Sequence, residues 1–152
     1  MAEPALRSAT ADDMQAIVGL LEAAHLPAVE LEQHLDNVVV AELDGRVVGC
    51  GGLEASPEAA AGLVRSMAVD ESLRGADIGS AVLEWVEARA AALGITQLFL
   101  FTVSAPDFYR RFGYEDVTLD EFPEALRRSA QYRFVRQRGK EWGVVAMAKR
   151  KA

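Results

Sequence analysis

Residues 62–83 read GLVRSMAVDESLRGADIGSAVL and contain the pattern that decides the fold. A β-rich run from Gly62 to Val69 leads into a polar loop, and the loop opens directly into a helical pattern that begins at Ile78. A strand, loop and helix in this order aim several backbone N–H groups and the positive end of a helix dipole at one point. The stretch therefore indicates an anion site, although an ordinary strand-to-helix turn also fits it.

The elements around this stretch are predicted from local signals. The helix after the loop is expected to end at Gly94, and the apolar run Gln97 to Thr102 follows as a strand. Because a helix connects them, this strand is expected to lie parallel to the strand at residues 62–69. Upstream, Asp44-Gly45 joins two β-rich runs, Val38 to Leu43 and Arg46 to Leu53, as in a type I′ hairpin.

The remaining elements complete an α+β pattern with a mixed sheet, and we expect a single domain that covers residues 1–152. Toward the N-terminus the predictions are a strand at Ala5-Leu6-Arg7, a capping box at Thr10 to Asp13, a helix that ends near Pro27 and a shorter helix from about Val29 to Leu35. Toward the C-terminus they are a helix at Pro106 to Arg111, a strand at Tyr114 to Val117, a helical segment near Pro123 to Ser129 and a last strand at Val144 to Lys149.

Composition narrows the class of protein. The chain is 51% hydrophobic and 26% charged, as in ordinary globular proteins, and no apolar run approaches the ~20 residues of a membrane helix. We expect a cytoplasmic protein without a membrane partner. Cys50 is the only cysteine and is expected to be a small buried core residue. His25 and His34 are expected at the surface or at helix ends, and no metal site is predicted.

Charge is distributed unevenly along the chain. Residues 1–126 contain 7 basic and 22 acidic residues, whereas residues 127–152 contain 9 basic residues and 1 acidic residue. Basic tails often bind nucleic acid, but the acidic body of this chain would repel a phosphate backbone. We therefore expect no nucleic-acid partner and a positive face that meets a small anionic ligand.

A second motif makes the loop at residues 74–79 more specific. Ala105 to Tyr114 matches every fixed position of the pattern Ala-x-x-Leu/Phe-Tyr-x-x-x-Gly-Phe/Tyr, and residues 74–79 follow Arg/Gln-x-x-Gly-x-Gly/Ala except at Asp77. With Met67-Ala68-Val69 before the loop, the chain resembles the GCN5-related N-acetyltransferase (GNAT) superfamily over almost its whole length. The resemblance implies a GNAT-like fold, with a mixed, mostly antiparallel sheet of 6–7 strands flanked by 4–5 helices. The chain departs from the family at Asp77, where glycine is usual.

The resemblance implies acetyl-CoA as co-substrate. The implied cofactor-binding residues are those of the strand end and the loop: Met67, Ala68, Val69, Arg74, Gly75, Ala76, Asp77, Ile78, Gly79 and Ser80. It also implies that the two parallel strands splay apart around the pantetheine arm. Tyr109 looks like the general acid that protonates the CoA thiolate, and the alternative is a tyrosine that only packs on a short helix.

The base and the acceptor site are expected on neighbouring strands. Family members often have a glutamate on the strand before the loop, but residues 61–66 contain no acid. Glu54, at the end of the preceding strand, is the candidate base, directly or through water, and a solvated strand-end acid is the alternative. Arg65 is the candidate partner for an acceptor carboxylate, with a surface arginine as the alternative. Thr102 is a further expected acceptor contact.

Within the superfamily, the chain resembles two branches. Phe122 to Arg128 and Tyr132 are similar to glutamate N-acetyltransferase domains, and Leu63 to Val69 is similar to the branch linked to arsenic resistance. Both imply a small, anionic, amino-acid-like amine acceptor and direct attack of the amine on acetyl-CoA. Two alternatives stay open: acetylation of protein N-termini or lysines, and a CoA-binding module with weakened catalysis. The expected assembly is a monomer or homodimer.

Overall fold

The structure is a computed structural model, and it describes residues 3–73 and 77–150. Within these residues the chain forms seven strands and four α-helices, with short 3₁₀ turns between them. The strands are β1 (Ala5–Ser8), β2 (Val38–Leu43), β3 (Arg46–Ser56), β4 (Ala61–Val69), β5 (Gln97–Thr102), β6 (Glu115–Asp116) and β7 (Val145–Arg150). The helices are α1 (Met14–Ala23), α2 (Ile78–Ala92), α3 (Pro106–Arg111) and α4 (Ala130–Trp142). No helix in the described ranges is long and apolar enough to cross a membrane.

The seven strands form one sheet in the order β1-β2-β3-β4-β5-β7-β6. β1 pairs antiparallel with β2, and β2 with β3 across a hairpin in which Asp44 and Gly45 both have positive φ, 52° and 77°. This geometry is that of the predicted type I′ turn. β4 and β5 are parallel, as expected for two strands that are connected by helix α2. Gly94, which follows the end of α2, has φ 77°.

Two segments differ from the predictions. The short helix expected from about Val29 to Leu35 is a 3₁₀ segment at Leu31–Asn37, preceded by Glu30 in the left-handed region and kinked at His34. No prediction covers helix α4, because its sequence is strongly basic and only Tyr132 and Gly139 of the helix are buried. Its two ends nevertheless have the usual capping residues. Ser129 accepts a hydrogen bond from the Gln131 N–H at the N-terminus, and Gly143 adopts a left-handed conformation at the C-terminus.

The residues group into two compact units, each made of two segments. The first comprises the described parts of Met1–Glu54 and Arg65–Ala90. In this unit, the predicted capping box stabilises the turn that precedes α1: the Thr10 N–H donates to Asp13 Oδ2 at 2.8 Å. Arg7 donates to both carboxylate oxygens of Asp13, and these bonds lower the pKa of Asp13 to about 2.

The packing of α2 in the first unit depends on Gly51. A Cβ at Gly51 would lie 2.5 Å from Met67 Sδ and 2.5 Å from Val82 Cγ1, so only glycine allows α2 to approach β3 this closely. Beside it, Cys50 is buried, as predicted, and donates from Sγ to the carbonyl oxygen of Ser66 at 3.2 Å. Burial raises the pKa of this thiol to about 12, so Cys50 remains a protonated core residue.

The second unit comprises Ala55–Val64 and the described part of Ala91–Ala152. Its core is aromatic: the ring of Phe122 stacks on Phe101 at 5.0 Å and contacts Phe99 and Tyr132. The Tyr132 hydroxyl donates to the Leu119 carbonyl at 3.3 Å. Whether the whole chain behaves as one domain stays a prediction.

Candidate functional site

The end of β4 carries the residues expected to contact the pantetheine arm. The parallel ladder to β5 joins Ala61–Val64 to Gln97–Leu100 and ends at the Val64–Leu100 pair. Two residues later, Ser66 is buried and has φ 60°, a left-handed conformation that is rare inside a strand for a residue with a side chain. The backbone therefore changes direction just before Met67, Ala68 and Val69. Sequence reasoning did not find this feature, since serine is not a typical left-handed residue.

The predicted phosphate loop is described only in part. Arg74, Gly75 and Ala76 lie outside the described residues. Asp77 is exposed, has φ 61°, and accepts a hydrogen bond at its carbonyl oxygen from the Ala81 N–H at 3.1 Å, so it lies immediately before the first turn of helix α2. Ile78, in the first turn of α2, is buried in the core and is 4% exposed, whereas Gly79 and Ser80 are half-buried.

The left-handed conformation of Asp77 explains why glycine suits this position. We expect Asp77→Gly to tighten acetyl-CoA binding about fivefold if the carboxylate faces the pyrophosphate, since two unit charges ~4 Å apart repel by ~1 kcal/mol in water. Isothermal titration calorimetry measures the change. Asp44→Gly is the matched control, because Asp44 is also exposed and left-handed but lies in the β2–β3 hairpin. An unchanged affinity would show that the Asp77 carboxylate points away.

Glu54 and Arg65, the candidate base and the candidate acceptor residue, are each other's partners. Arg65 Nη1 donates to Glu54 Oε2 at 2.8 Å, and the Arg65 side chain is fully buried while that of Glu54 is 13% exposed. Arg65 also donates from Nε to Ser66 Oγ at 3.0 Å and from Nη2 to the Pro27 carbonyl at 3.4 Å. The surface-arginine alternative is therefore wrong.

His34 completes this cluster, and sequence reasoning missed it. Its Nε2 atom lies 3.8 Å from Glu54 Oε1, and its side chain is 24% exposed. His34 is half-buried at the kink of a 3₁₀ segment and in its last turn, which agrees with the expected position at a helix end. No sequence signal connects it to Glu54, which lies 20 residues further along the chain. We call His34, Glu54 and Arg65 the charged cluster of the first unit.

Tyr109 belongs to the second unit and lies on α3, which begins at Pro106 as predicted. It is 7% exposed, and its ring makes edge-on contacts with Phe108 and Tyr114. Burial raises the pKa of the Tyr109 phenol above its ordinary value, so the hydroxyl stays protonated at neutral pH. A protonated phenol is what a general acid requires, although this burial also fits a tyrosine that only packs.

Thr102 lies at the end of β5 and is 8% exposed. Its Oγ1 accepts a hydrogen bond from the Ala105 N–H at 3.1 Å, which fixes the turn between β5 and α3. The hydroxyl therefore has a structural task. Its expected contact with an acceptor stays a prediction.

Comparisons with known proteins indicate the same family as these motifs. Residues 34–116 match the family model described as an acetyltransferase (GNAT) domain. The amino-acid acetyltransferase of Ralstonia nicotianae is 32% identical over 130 residues, which cover 81% of this chain and 29% of the relative. The amino-acid acetyltransferase of Azotobacter vinelandii is 28% identical over 139 residues, which cover 87% of this chain and 32% of the relative. The chain thus spans about a third of the length of these relatives.

Solved structures share the fold. The N-acetylglutamate synthase of Neisseria gonorrhoeae, complexed with coenzyme A and N-acetyl-glutamate, has a TM-score of 0.80 at 24% identity, over 99% of this chain and 35% of that one. Rv2747 of Mycobacterium tuberculosis, in complex with CoA, has a TM-score of 0.79 at 23% identity, over 98% of this chain and 100% of that one. The predicted α+β fold, with a mixed, mostly antiparallel sheet of 6–7 strands, is confirmed, and the sheet has seven.

Proposed function

This chain belongs to the GNAT acetyltransferase family, which uses acetyl-CoA as co-substrate, and we propose that it acetylates the amine of a small, anionic amino acid. The observation that carries the proposal is the 32% identity to an amino-acid acetyltransferase across 81% of the chain. The complex of the Neisseria synthase with coenzyme A and N-acetyl-glutamate supports a glutamate-like acceptor. Those relatives are about three times as long, so the acceptor is argued from this chain's own residues below.

In the proposed reaction the neutral amine attacks the thioester carbonyl, and CoA leaves as its thiolate. The backbone of Met67 and Val69 is assigned to the pantetheine arm, and the amides from Arg74 to Ser80 to the pyrophosphate. Tyr109 is assigned the proton transfer to the thiolate. Its phenol stays protonated at neutral pH, as a proton donor has to be, and burial makes it a weaker acid than an exposed tyrosine.

Arg65 is assigned to the acceptor carboxylate. A fully buried guanidinium is a strong partner for a carboxylate, because few water molecules compete for it. Glu54 already accepts a hydrogen bond from Nη1 of Arg65. The carboxylate of the substrate therefore has to share the guanidinium with Glu54 or displace Glu54. Three of the five guanidinium N–H donors are already bonded, so sharing would use the two that remain. Thr102 is a further proposed contact of the acceptor, and Glu54 is the proposed base, acting directly or through water.

The test is a panel of amines assayed by thiol release from acetyl-CoA. We expect L-glutamate to have a higher kcat/KM than L-glutamine, and both to exceed uncharged amines, because only glutamate carries the second carboxylate. Acetyl-CoA without amine is the control for hydrolysis. A preference for peptides with free N-termini, or for polyamines, would instead support protein or polyamine acetylation. Tight acetyl-CoA binding without turnover of any amine would support a binding module.

A further inference from the structure

Helix α4 presents exposed aromatic and basic side chains together. Phe134 and Trp142 are 46% and 62% exposed, and their ring centroids lie 6.4 Å apart. Arg138 is four residues from each of them, so the three side chains lie along one side of the helix. Exposed tryptophan, phenylalanine and arginine are typical of protein–protein interfaces. We name the exposed aromatic and basic residues of this helix the α4 face: Arg133, Phe134, Arg136, Arg138, Lys140 and Trp142.

The positive charge of the α4 face is not neutralised by neighbouring carboxylates. Arg138 Nε lies 3.7 Å from Glu141 Oε2, and both side chains are exposed, so this ion pair contributes little. In the described part of the chain, Arg133, Arg136 and Lys140 have no acidic partner. A surface that combines exposed rings with unpaired positive charge is complementary to one that combines apolar and acidic groups.

The first unit contains a surface of this complementary kind. Residues 22–36, from the end of α1 through most of the 3₁₀ segment, include four acidic residues and no lysine or arginine. Val29, in the middle of this stretch, is 45% exposed. Glu22, Glu32 and Asp36 are exposed too, and within the residues that the structure describes none of them has a basic partner. We name residues 22–36 the acidic segment.

We propose that the α4 face of one copy of this chain binds the acidic segment of a second copy. In the described ranges, three of the four exposed large hydrophobic side chains lie on these two surfaces, so association removes them from water together. The two surfaces carry opposite, unpaired charges, which favour their encounter. An anionic membrane or a nucleic acid is a poorer partner, because residues 1–126 contain 22 acidic and 7 basic residues and would be repelled.

The proposed contact joins two different surfaces and is therefore heterologous. Two copies that each use both surfaces form a closed dimer, whereas copies that use one surface at a time leave a free surface to which a further copy binds. Both arrangements give a mass above that of one chain. The inference is independent of the proposed function, because the contact requires neither acetyl-CoA nor an amine.

Sedimentation velocity of the full chain, without acetyl-CoA or amine, tests the proposal. We expect the weight-average mass to rise with protein concentration to at least twice the chain mass of 16.4 kDa. Raising the ionic strength from about 0.1 M to 1 M shortens the Debye length from about 10 Å to about 3 Å, so the association should weaken at least about tenfold.

Two double variants alter one surface each, and each removes an apolar side chain and reverses a charge. Trp142→Ser with Arg138→Glu alters the α4 face, and Val29→Ser with Glu32→Lys alters the acidic segment. Each variant alone should associate at least about tenfold more weakly than the wild type. An equimolar mixture of the two should regain association, because each variant supplies the surface that the other lacks.

Val103→Ser with Glu58→Lys is the matched control, since both residues are exposed and belong to neither surface. It should associate as the wild type does. Circular dichroism and thermal melting check that every variant is folded.

Three results would overturn the inference: a wild-type chain that stays monomeric, association that survives either surface variant, or a mixture that stays monomeric. A monomeric wild type that binds vesicles containing anionic phospholipid would assign the α4 face to a membrane surface instead. The amine panel decides the proposed function separately, so neither experiment depends on the other.

Discussion

Arg65→Ala is expected to lower the free energy of unfolding by about 3–5 kcal/mol, the usual cost of removing one partner from a buried ion pair. The Arg65 side chain is fully buried, and its guanidinium donates to Glu54, Ser66 and Pro27. Without it, Glu54 keeps a carboxylate that is only 13% exposed and has lost its cation. Urea denaturation at pH 7 measures the loss.

The pair Arg46–Asp70 provides the matched control for this variant. Its N–O distance of 3.0 Å is close to the 2.8 Å of Arg65–Glu54, but the Arg46 side chain is 63% exposed. Arg46→Ala should therefore cost at most about 1 kcal/mol. Combining Glu54→Gln with Arg65→Ala should recover part of the loss, because no buried charge is left. A loss below about 1 kcal/mol for Arg65→Ala would show that the cluster is hydrated.

The same variant tests the role of Arg65 toward the acceptor. Under conditions in which Arg65→Ala is folded, KM for L-glutamate should rise far more than KM for L-glutamine, since a charge-assisted hydrogen bond contributes about 1.5–3 kcal/mol. The comparison within one variant removes the effect of stability, which is common to both acceptors. Equal changes for acid and amide would mean that Arg65 only supports the fold.

Tyr109→Phe is expected to lower kcat roughly 10²-fold and to leave acetyl-CoA affinity almost unchanged, the pattern that follows loss of a general acid. The phenol is 7% exposed, and burial raises its pKa, so it is protonated through the range in which the enzyme is assayed. Phenylalanine keeps the ring contacts with Phe108 and Tyr114 and removes only the hydroxyl. Steady-state kinetics from pH 6 to 9 and calorimetric titration with acetyl-CoA make the two measurements.

Tyr132→Phe is the matched control for Tyr109→Phe. Tyr132 is also buried, at 2% exposure, but its hydroxyl donates to the Leu119 carbonyl and so has a structural partner. Its loss should cost about 1 kcal/mol of stability and little activity. If Tyr109→Phe keeps the wild-type rate across the whole pH range, water protonates the thiolate and Tyr109 only packs on α3.

Local signals were sufficient for most of the fold. Asp44-Gly45 specifies its turn because both residues adopt positive φ, and Pro106 and Gly94 mark helix ends through their own backbone preferences. The parallel pairing of β4 and β5 follows from the length of the crossover between them. Helix α4 is the exception, because its sequence is strongly basic and does not predict a helix, although Ser129 and Gly143 provide a cap at each end.

The sequence by itself determined the order of the elements, the family motifs and the identity of the candidate residues, since these depend on neighbours along the chain. Only the tertiary structure decided that Glu54 and Arg65, predicted for separate tasks, bind each other, and that His34 joins them. Their contact depends on how the 3₁₀ segment before β2 packs beside β3 and β4. Ser66 is a similar case, because its left-handed backbone is imposed by packing around β4 and not by its own preference.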